Sequence, residues 1–143
     1  MPKDINVRHV GFSGSRNGMT EQQRLFVYQY VSVLNDAKPM IIHHGDCVGA
    51  DAEMHDIAKS LGCKVVIHPP TVPDLRANCT GDECLPPKTY FARNRDIVDA
   101  CDILIATPGH TVRLRGGTWY TVAYAKKRGI QLCVVLPDGT VEE

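Results

Sequence analysis

The chain reads as an α/β protein with a mostly parallel, five-stranded sheet and helices on both of its faces. Two observations predict it. Apolar runs and segments of helical period follow one another in the order βαβαβ, a long loop, then αβαβ, the order of crossover-linked parallel strands. The runs at 103–106 and 132–136 are almost wholly apolar, as strands covered on both faces must be.

Each element has its own signal. Ile5 to Phe12 alternates before breaking into Ser13-Gly-Ser-Arg16, a strand running into a tight turn. Thr20-Glu-Gln-Gln23 is a capping box. The helix it opens carries Val27, Tyr30, Val31 and Leu34 on one stripe and ends before Pro39. Met40 to His44 is a short strand that empties into Gly45-Asp-Cys-Val-Gly-Ala-Asp51. Met54, Ile57, Ala58 and Leu61 mark the next helix, stopped by Gly62. Cys63 to His68 is the third strand, closed by Pro69-Pro70. Residues 71–89 carry no periodicity, and so long a loop in a compact domain is more often functional than accidental. A lid over a ligand would sit here. A third helix begins at Tyr90 and a fourth runs from about Thr118 to Arg128, its basic end suited to the helix dipole. Gln131 to Leu136 is the last strand.

At 143 residues the chain is expected to form one domain, 1–143, with a full core. Sixteen basic residues balance sixteen acidic ones, so no global field draws it to nucleic acid. No apolar run is long enough to span a bilayer, and the start at Met1-Pro-Lys-Asp is unlike a signal peptide, so a cytoplasmic protein is expected. Four of the six cysteines fall in or beside regular elements or the glycine turn, as small buried hydrophobes do.

In such a sheet, ligands bind beyond the carboxyl ends of the strands, near helix N-termini. Three strand ends carry residues suited to that edge: Gly14, Ser15 and Arg16; Gly45, Asp46, Gly49 and Asp51; and Gly116, Gly117 and Thr118 beside Trp119. Glycines let backbone N–H groups approach a phosphate, and hydroxyls add donors. Pro69 and Pro108 close the third and fourth strands and complete this edge. On the third helix Tyr90, Phe91, Ile97, Val98 and Cys101 form an apolar arc. Asn94 lies near its middle, which demands a partner, and Arg93 and Arg95 lie on its opposite margins, placed either to reach solvent or to meet an anion. Asp96 and Asp99 face away. Asp51 is placed either to cap a helix or to accept from ribose hydroxyls. Cys79 and Cys84 would supply half of a zinc site with His68, but no second pair at ligand spacing accompanies them, so free thiols are expected. His43 and His44 point to opposite faces.

These pieces together resemble the SLOG superfamily of Rossmann-like proteins. That group includes the Lonely-guy phosphoribohydrolases, the DNA-processing protein A domain and the YspA/YpsA-type proteins. The resemblance rests on Gly14-Ser-Arg16, the stretch Gly45 to Asp51, His68-Pro-Pro70, Arg93-Asn-Arg95 with the stretch Ile97 to Asp102, and Gly116-Gly-Thr-Trp119. It implies a Rossmann-like three-layer fold, a nucleotide or nucleotide-derived ligand at the glycine turns, and a homodimer or higher oligomer; no cofactor or metal is expected. Arg93 matches the active-site arginine of the Lonely-guy enzymes, which would make it catalytic in a phosphoribohydrolase, with Asp51 or Asp46 as the carboxylate. Those enzymes also carry a glutamate shortly after the paired glycines, where this chain has Val122 and Ala123. Arg93-Asn-Arg95 is similar to the single-stranded DNA segment of DNA-processing protein A, and Arg113 with Arg115 would add a small basic patch.

Overall fold

A computed structural model describes residues 6–113 and 116–143. Ile5, expected to open the first strand, the Met1-Pro-Lys-Asp start and Arg115 lie outside the described residues.

The chain folds as β1 (Arg8–Gly14), α1 (Glu21–Ala37), β2 (Met40–His44), α2 (Ala50–Ser60), β3 (Lys64–Ile67), β4 (Glu83–Cys84), α3 (Tyr90–Ala100), β5 (Ile103–Thr107), α4 (Gly117–Arg128), β6 (Gln131–Val135) and β7 (Val141–Glu142). The sheet has seven strands in the order β4-β3-β2-β1-β5-β6-β7, where five were expected. The two additions are edge strands of two residues each. Neither is long enough to show alternation, so neither is visible as a pattern. All pairings are parallel except β6 with β7.

Helices cover both faces because strand side chains alternate between them. Val10, Phe12, Ile103, Ile105, Cys133 and Val135 point to one face, against Val27 and Val31 of α1 and Met54 and Ala58 of α2. Leu104, Ala106, Leu132 and Val134 point to the other, against Ile97 and Val98 of α3 and Trp119, Val122 and Ala125 of α4. The α1 capping box forms as its residues require: the Thr20 hydroxyl accepts from Gln23 N–H, and the Gln23 side chain accepts from Thr20 N–H. The Gln23 amide also donates to the carbonyls of Pro108 and Val135 at 2.8 Å each, which ties α1 to the ends of β5 and β6. Cys47, Cys63, Cys101 and Cys133 are buried. Among the described residues no helix is long and apolar enough to cross a membrane.

The loop over 71–89 is not without structure. It contains a 3-10 turn at Pro73–Leu75 and the strand β4, whose pairing with β3 adds to the sheet edge. Asp46 anchors it. That carboxylate accepts from Arg76 Nε at 3.1 Å and from Cys79 N–H at 2.9 Å, while the Asp46 carbonyl accepts from Ala77 N–H at 2.8 Å.

Candidate functional site

The chain leaves β1 toward β2 on one side, and β5 lies on the other, so the carboxyl ends of β1 and β5 form the switch point of the sheet. Crevices in open α/β sheets form at this place. Here it is a cavity of about 770 Å³, walled by the turns after β1, β2 and β5, the first two turns of α3 and the start of α4. The β1 and β2 turns touch backbone to backbone: Ala50 N–H donates to the Ser15 carbonyl at 2.9 Å. Gly49 has a φ of 89° and a Cβ on it would overlap the Arg16 carbonyl, so the contact requires glycine.

Arg93 stands at the inner wall and is only 5% exposed. Its Nη1 donates to the carbonyls of Gly45 at 2.5 Å and His68 at 3.1 Å, its Nε to Asn94 Oδ1 at 2.7 Å, and its Nη2 lies 3.6 Å from Cys47 Sγ. Neutral acceptors therefore hold a permanent cation in place, and among the described residues no carboxylate pairs with it directly. Gly45 is what admits it, since a Cβ there would overlap Nη1 and sit 3.0 Å from Asp51 Oδ2. Asn94 meets the demand for a partner by accepting from Arg93.

Asp51 stands beside this cation and is 6% exposed. It sits within the first turn of α2, one residue past its first, and does not cap the helix. Instead its Oδ2 accepts from Cys47 N–H at 3.1 Å. Its Oδ1 is buried with no hydrogen-bond partner among the described residues. Burial raises its pKa from the ordinary 3.8 to about 6, against the opposing pull of Arg93 and the donated backbone N–H groups. The Tyr90 hydroxyl is likewise buried without a partner among the described residues.

On the opposite wall, α4 opens at Gly116 and Gly117, and among the described residues no side chain caps it. The positive end of its dipole thus meets the cavity, which favours an anion. Aromatic rings complete the wall. Phe91 and Tyr120 lie 4.4 Å apart between centroids, Arg16 stands 4.8 Å over Tyr90, and Trp119 Nε1 donates to the His110 carbonyl.

The cavity thus gathers Gly14, Ser15, Arg16, Gly45, Asp51, Arg93, Asn94, Pro108, Gly116, Gly117, Thr118 and Trp119. Asp46, Gly49, Pro69 and Arg95 stand outside it. Asp46 anchors the loop, Gly49 carries the backbone contact, the Pro69 carbonyl accepts from Lys88 N–H, and exposed Arg95 donates to Tyr120 Oη at 2.8 Å. None of residues 71–89 lines it either. Leu85, Pro86 and Lys88 instead border a second cavity of about 300 Å³ together with His68, Asp96 and Arg93. Tyr90, Phe91, Cys47 and His110 also line the first cavity; helical period marks the two aromatics only as part of an apolar arc, and nothing local sets Cys47 or His110 apart. Arg113 stacks 4.7 Å over Trp119 and pairs with Glu142.

One cluster has metal-ligand chemistry. The donor atoms of His44, His55 and Cys79 lie within 4.8 Å of one another. His44 Nδ1, however, accepts from Asp46 N–H at 2.9 Å, which puts the ring proton on Nε2, 3.0 Å from His55 Nδ1. A metal at Nε2 would need the proton on Nδ1, facing a donor. Burial and the nearby Asp46 push the Cys79 thiol up to about 12, so it stays protonated. The cluster reads as a hydrogen-bonded pair beside a thiol. Cys79 meets these two histidines and not His68, and Cys84 is exposed with its thiol directed to the Leu85 carbonyl.

No protein-family model matches this chain, and no curated sequence is similar to it. Solved structures do resemble it. The molybdenum cofactor binding protein from Rippkaea orientalis superposes with a TM-score of 0.73 at 19% identity, over 93% of this chain and 78% of that one. DNA processing protein A from Streptococcus pneumoniae gives 0.68 at 22% identity over 90% of this chain, which spans 50% of that protein's length. The molybdenum cofactor carrier protein from Chlamydomonas reinhardtii gives 0.64 at 22% identity, over 90% and 75% of the two chains. These likenesses show a shared architecture: a Rossmann-like α/β fold with a mostly parallel seven-stranded sheet.

Proposed function

We propose that this chain binds a nucleotide or nucleotide-derived ligand, a nucleoside phosphate or an ADP-ribose-like molecule, at the carboxyl edge of the sheet, as a sensor or sequestering protein. The observation that carries the reading is the pairing, in one cavity, of fixed positive groups with polar atoms the fold leaves unpartnered. Arg93 and the uncapped α4 N-terminus offer two places for negative charge. Asp51 Oδ1 has room for one more donor, such as a ribose hydroxyl. Tyr90, Phe91 and Tyr120 supply stacking surface for a base. In this proposal Gly14, Ser15, Arg16, Gly116, Gly117 and Thr118 cradle phosphate. The same proposal takes 1–143 as one domain, working as a homo-oligomer in the cytoplasm.

Calorimetry with AMP, ADP-ribose and cyclic nucleotides tests it. Saturable binding is expected, and no heat at millimolar ligand removes the reading. Two similar structures are named for the molybdenum cofactor, so that cofactor belongs in the same titration as a competitor.

A second reading, hydrolysis of nucleoside 5′-monophosphates, is favoured by the Asp51 carboxyl with its pKa near 6 beside Arg93. A carboxyl in that range can steady an oxocarbenium-like centre or orient water. Release of free base, abolished by Arg93→Ala and by Asp51→Asn, is its required outcome. A single-stranded DNA partner is the third reading, and a gel shift lost at modest salt or never seen counts against it.

A further inference from the structure

Three histidines on the α3 side of the sheet take no part in the cavity just described. Gly11 pairs in register with His43 and packs against Ile97 and Cys101, so His43 shares the face that α3 covers. His9 Nδ1 and His43 Nε2 are 2.9 Å apart, and His43 Nδ1 and His68 Nε2 are also 2.9 Å apart. The rings form one unbroken line from half-exposed His9, at the start of β1, to buried His68, which lines the second cavity. His9 Nε2 and His68 Nδ1 take no hydrogen bond from the described residues.

A neutral imidazole has one N–H and one lone pair, so the direction of each bond in this line sets that of the next. A donor at one end requires an acceptor at the other. Among the described residues the charged groups at each end are few. At His9 the Asp102 carboxylate accepts the backbone N–H. Around His68 stand Arg93, Lys88 and Asp96, with Lys88 and Asp96 paired at 2.6 Å, so that wall carries a net positive charge. Burial, aided by Arg93 and Lys88, lowers the His68 pKa to about 4, which keeps the ring neutral and able to exchange its proton.

We propose that His9, His43 and His68 form a proton relay serving the second cavity, which makes that cavity an acid–base subsite for a small protic anion. When a ligand gives a proton to His68 Nδ1, the Nε2 proton passes to His43 Nδ1. The His43 Nε2 proton then passes to His9 Nδ1, and the His9 Nε2 proton leaves to water. Three N–H bonds form, three break, and no charge remains on the line. This inference does not rest on the nucleotide reading: it uses a different cavity, and the two share only Arg93 as a lining residue.

Imidazole ¹⁵N NMR on the full chain, titrated with inorganic phosphate, tests it. Phosphate is expected to move the His68 and His9 ring nitrogens together in the unaltered protein, and only those of His68 in His43→Gln, which keeps polar contacts but passes no proton. Lys88→Met is expected to abolish both responses. A silent His9 in the unaltered protein, or a response that survives Lys88→Met and so belongs to the glycine-lined cavity, overturns the proposal. If His43→Gln does not fold, His9→Gln at the half-exposed end serves instead. The relay requires that it shift the His68 ring nitrogens, and an unchanged His68 overturns it.

Discussion

Two regions of the molecule are built around carboxylates five residues apart on one turn, and they differ in what is left over. In the loop anchor, buried Asp46 is engaged at both oxygens by Arg76 and Cys79 N–H. In the cavity wall, buried Asp51 is engaged at one oxygen only and leaves Oδ1 bare. A buried polar atom without a partner costs free energy, about 1–3 kcal/mol, so its persistence points to a role outside the folded chain. Asp46 serves the fold, and in the function proposed above Asp51 serves a ligand.

The comparison can be broken most forcefully at Asp46. Asp46→Ala strands Arg76 and frees the loop. Arg76 keeps some solvent access, but the Cys79 N–H loses its acceptor as well, so the cost is about 2–3 kcal/mol, to be read as a lowered denaturation midpoint. Ligand affinity should fall much less than stability does.

Gly45→Ala is next. The added methyl collides with Arg93, whose hydrogen bonds hold it rigidly, so about 1–3 kcal/mol of stability is lost and nucleotide binding with it. Equal binding by this variant would show that the placement of Arg93 is irrelevant.

Asp51→Asn should move the two readouts in opposite directions. The raised Asp51 pKa means the ionised form is disfavoured in the fold, a cost present above pH 6 and absent below the unfolded value of 3.8. Removing the charge should therefore stabilise the protein by about 1–2 kcal/mol at pH 8 and leave it little changed at pH 4.

The buried histidines work in the other sense on pH. Burial depresses His44 to about 3 and His68 to about 4, so the unfolded chain takes up their protons first, beginning near pH 6.5. Stability that is complete above 6.5 is lost as pH falls toward 4. Asp51 offsets about one of these two protons, leaving a slope of roughly 1.4 kcal/mol per pH unit between 4 and 6, measurable by denaturation across that range.

The smallest effect belongs to Arg95→Ala. An exposed side chain bonded to one tyrosine hydroxyl should change stability by less than about 0.5 kcal/mol, and affinity by far less than Arg93→Ala does.

Local physics made much of this legible in the chain itself. The capping box at Thr20, the apolar strands at β5 and β6 and the glycine stops of α2 and α4 depend on residues close in sequence, and they appear where those residues place them. Asn94 could be read as a buried amide needing a partner because helical period alone put it inside the apolar arc. What stayed hidden depends on distant residues. Helical period set Arg93 and Arg95 as equals at the two margins; only the carbonyls of Gly45 and His68, brought in by β2 and β3, decide that Arg93 is the buried one. Alternation sent His43 and His44 to opposite faces, but their partners His9, His68 and His55 come from three other elements. The edge strands β4 and β7 are too short to carry any pattern.

The central claim is that Asp51 is kept for a ligand. Calorimetry of Asp51→Asn with the nucleotide that the unaltered protein binds best, run beside denaturation of both proteins at pH 8, tests it most directly. The account predicts at least a tenfold loss of affinity in a variant that is no less stable. Affinity retained in a destabilised variant would contradict it, because Asp51 would then belong to the fold as Asp46 does.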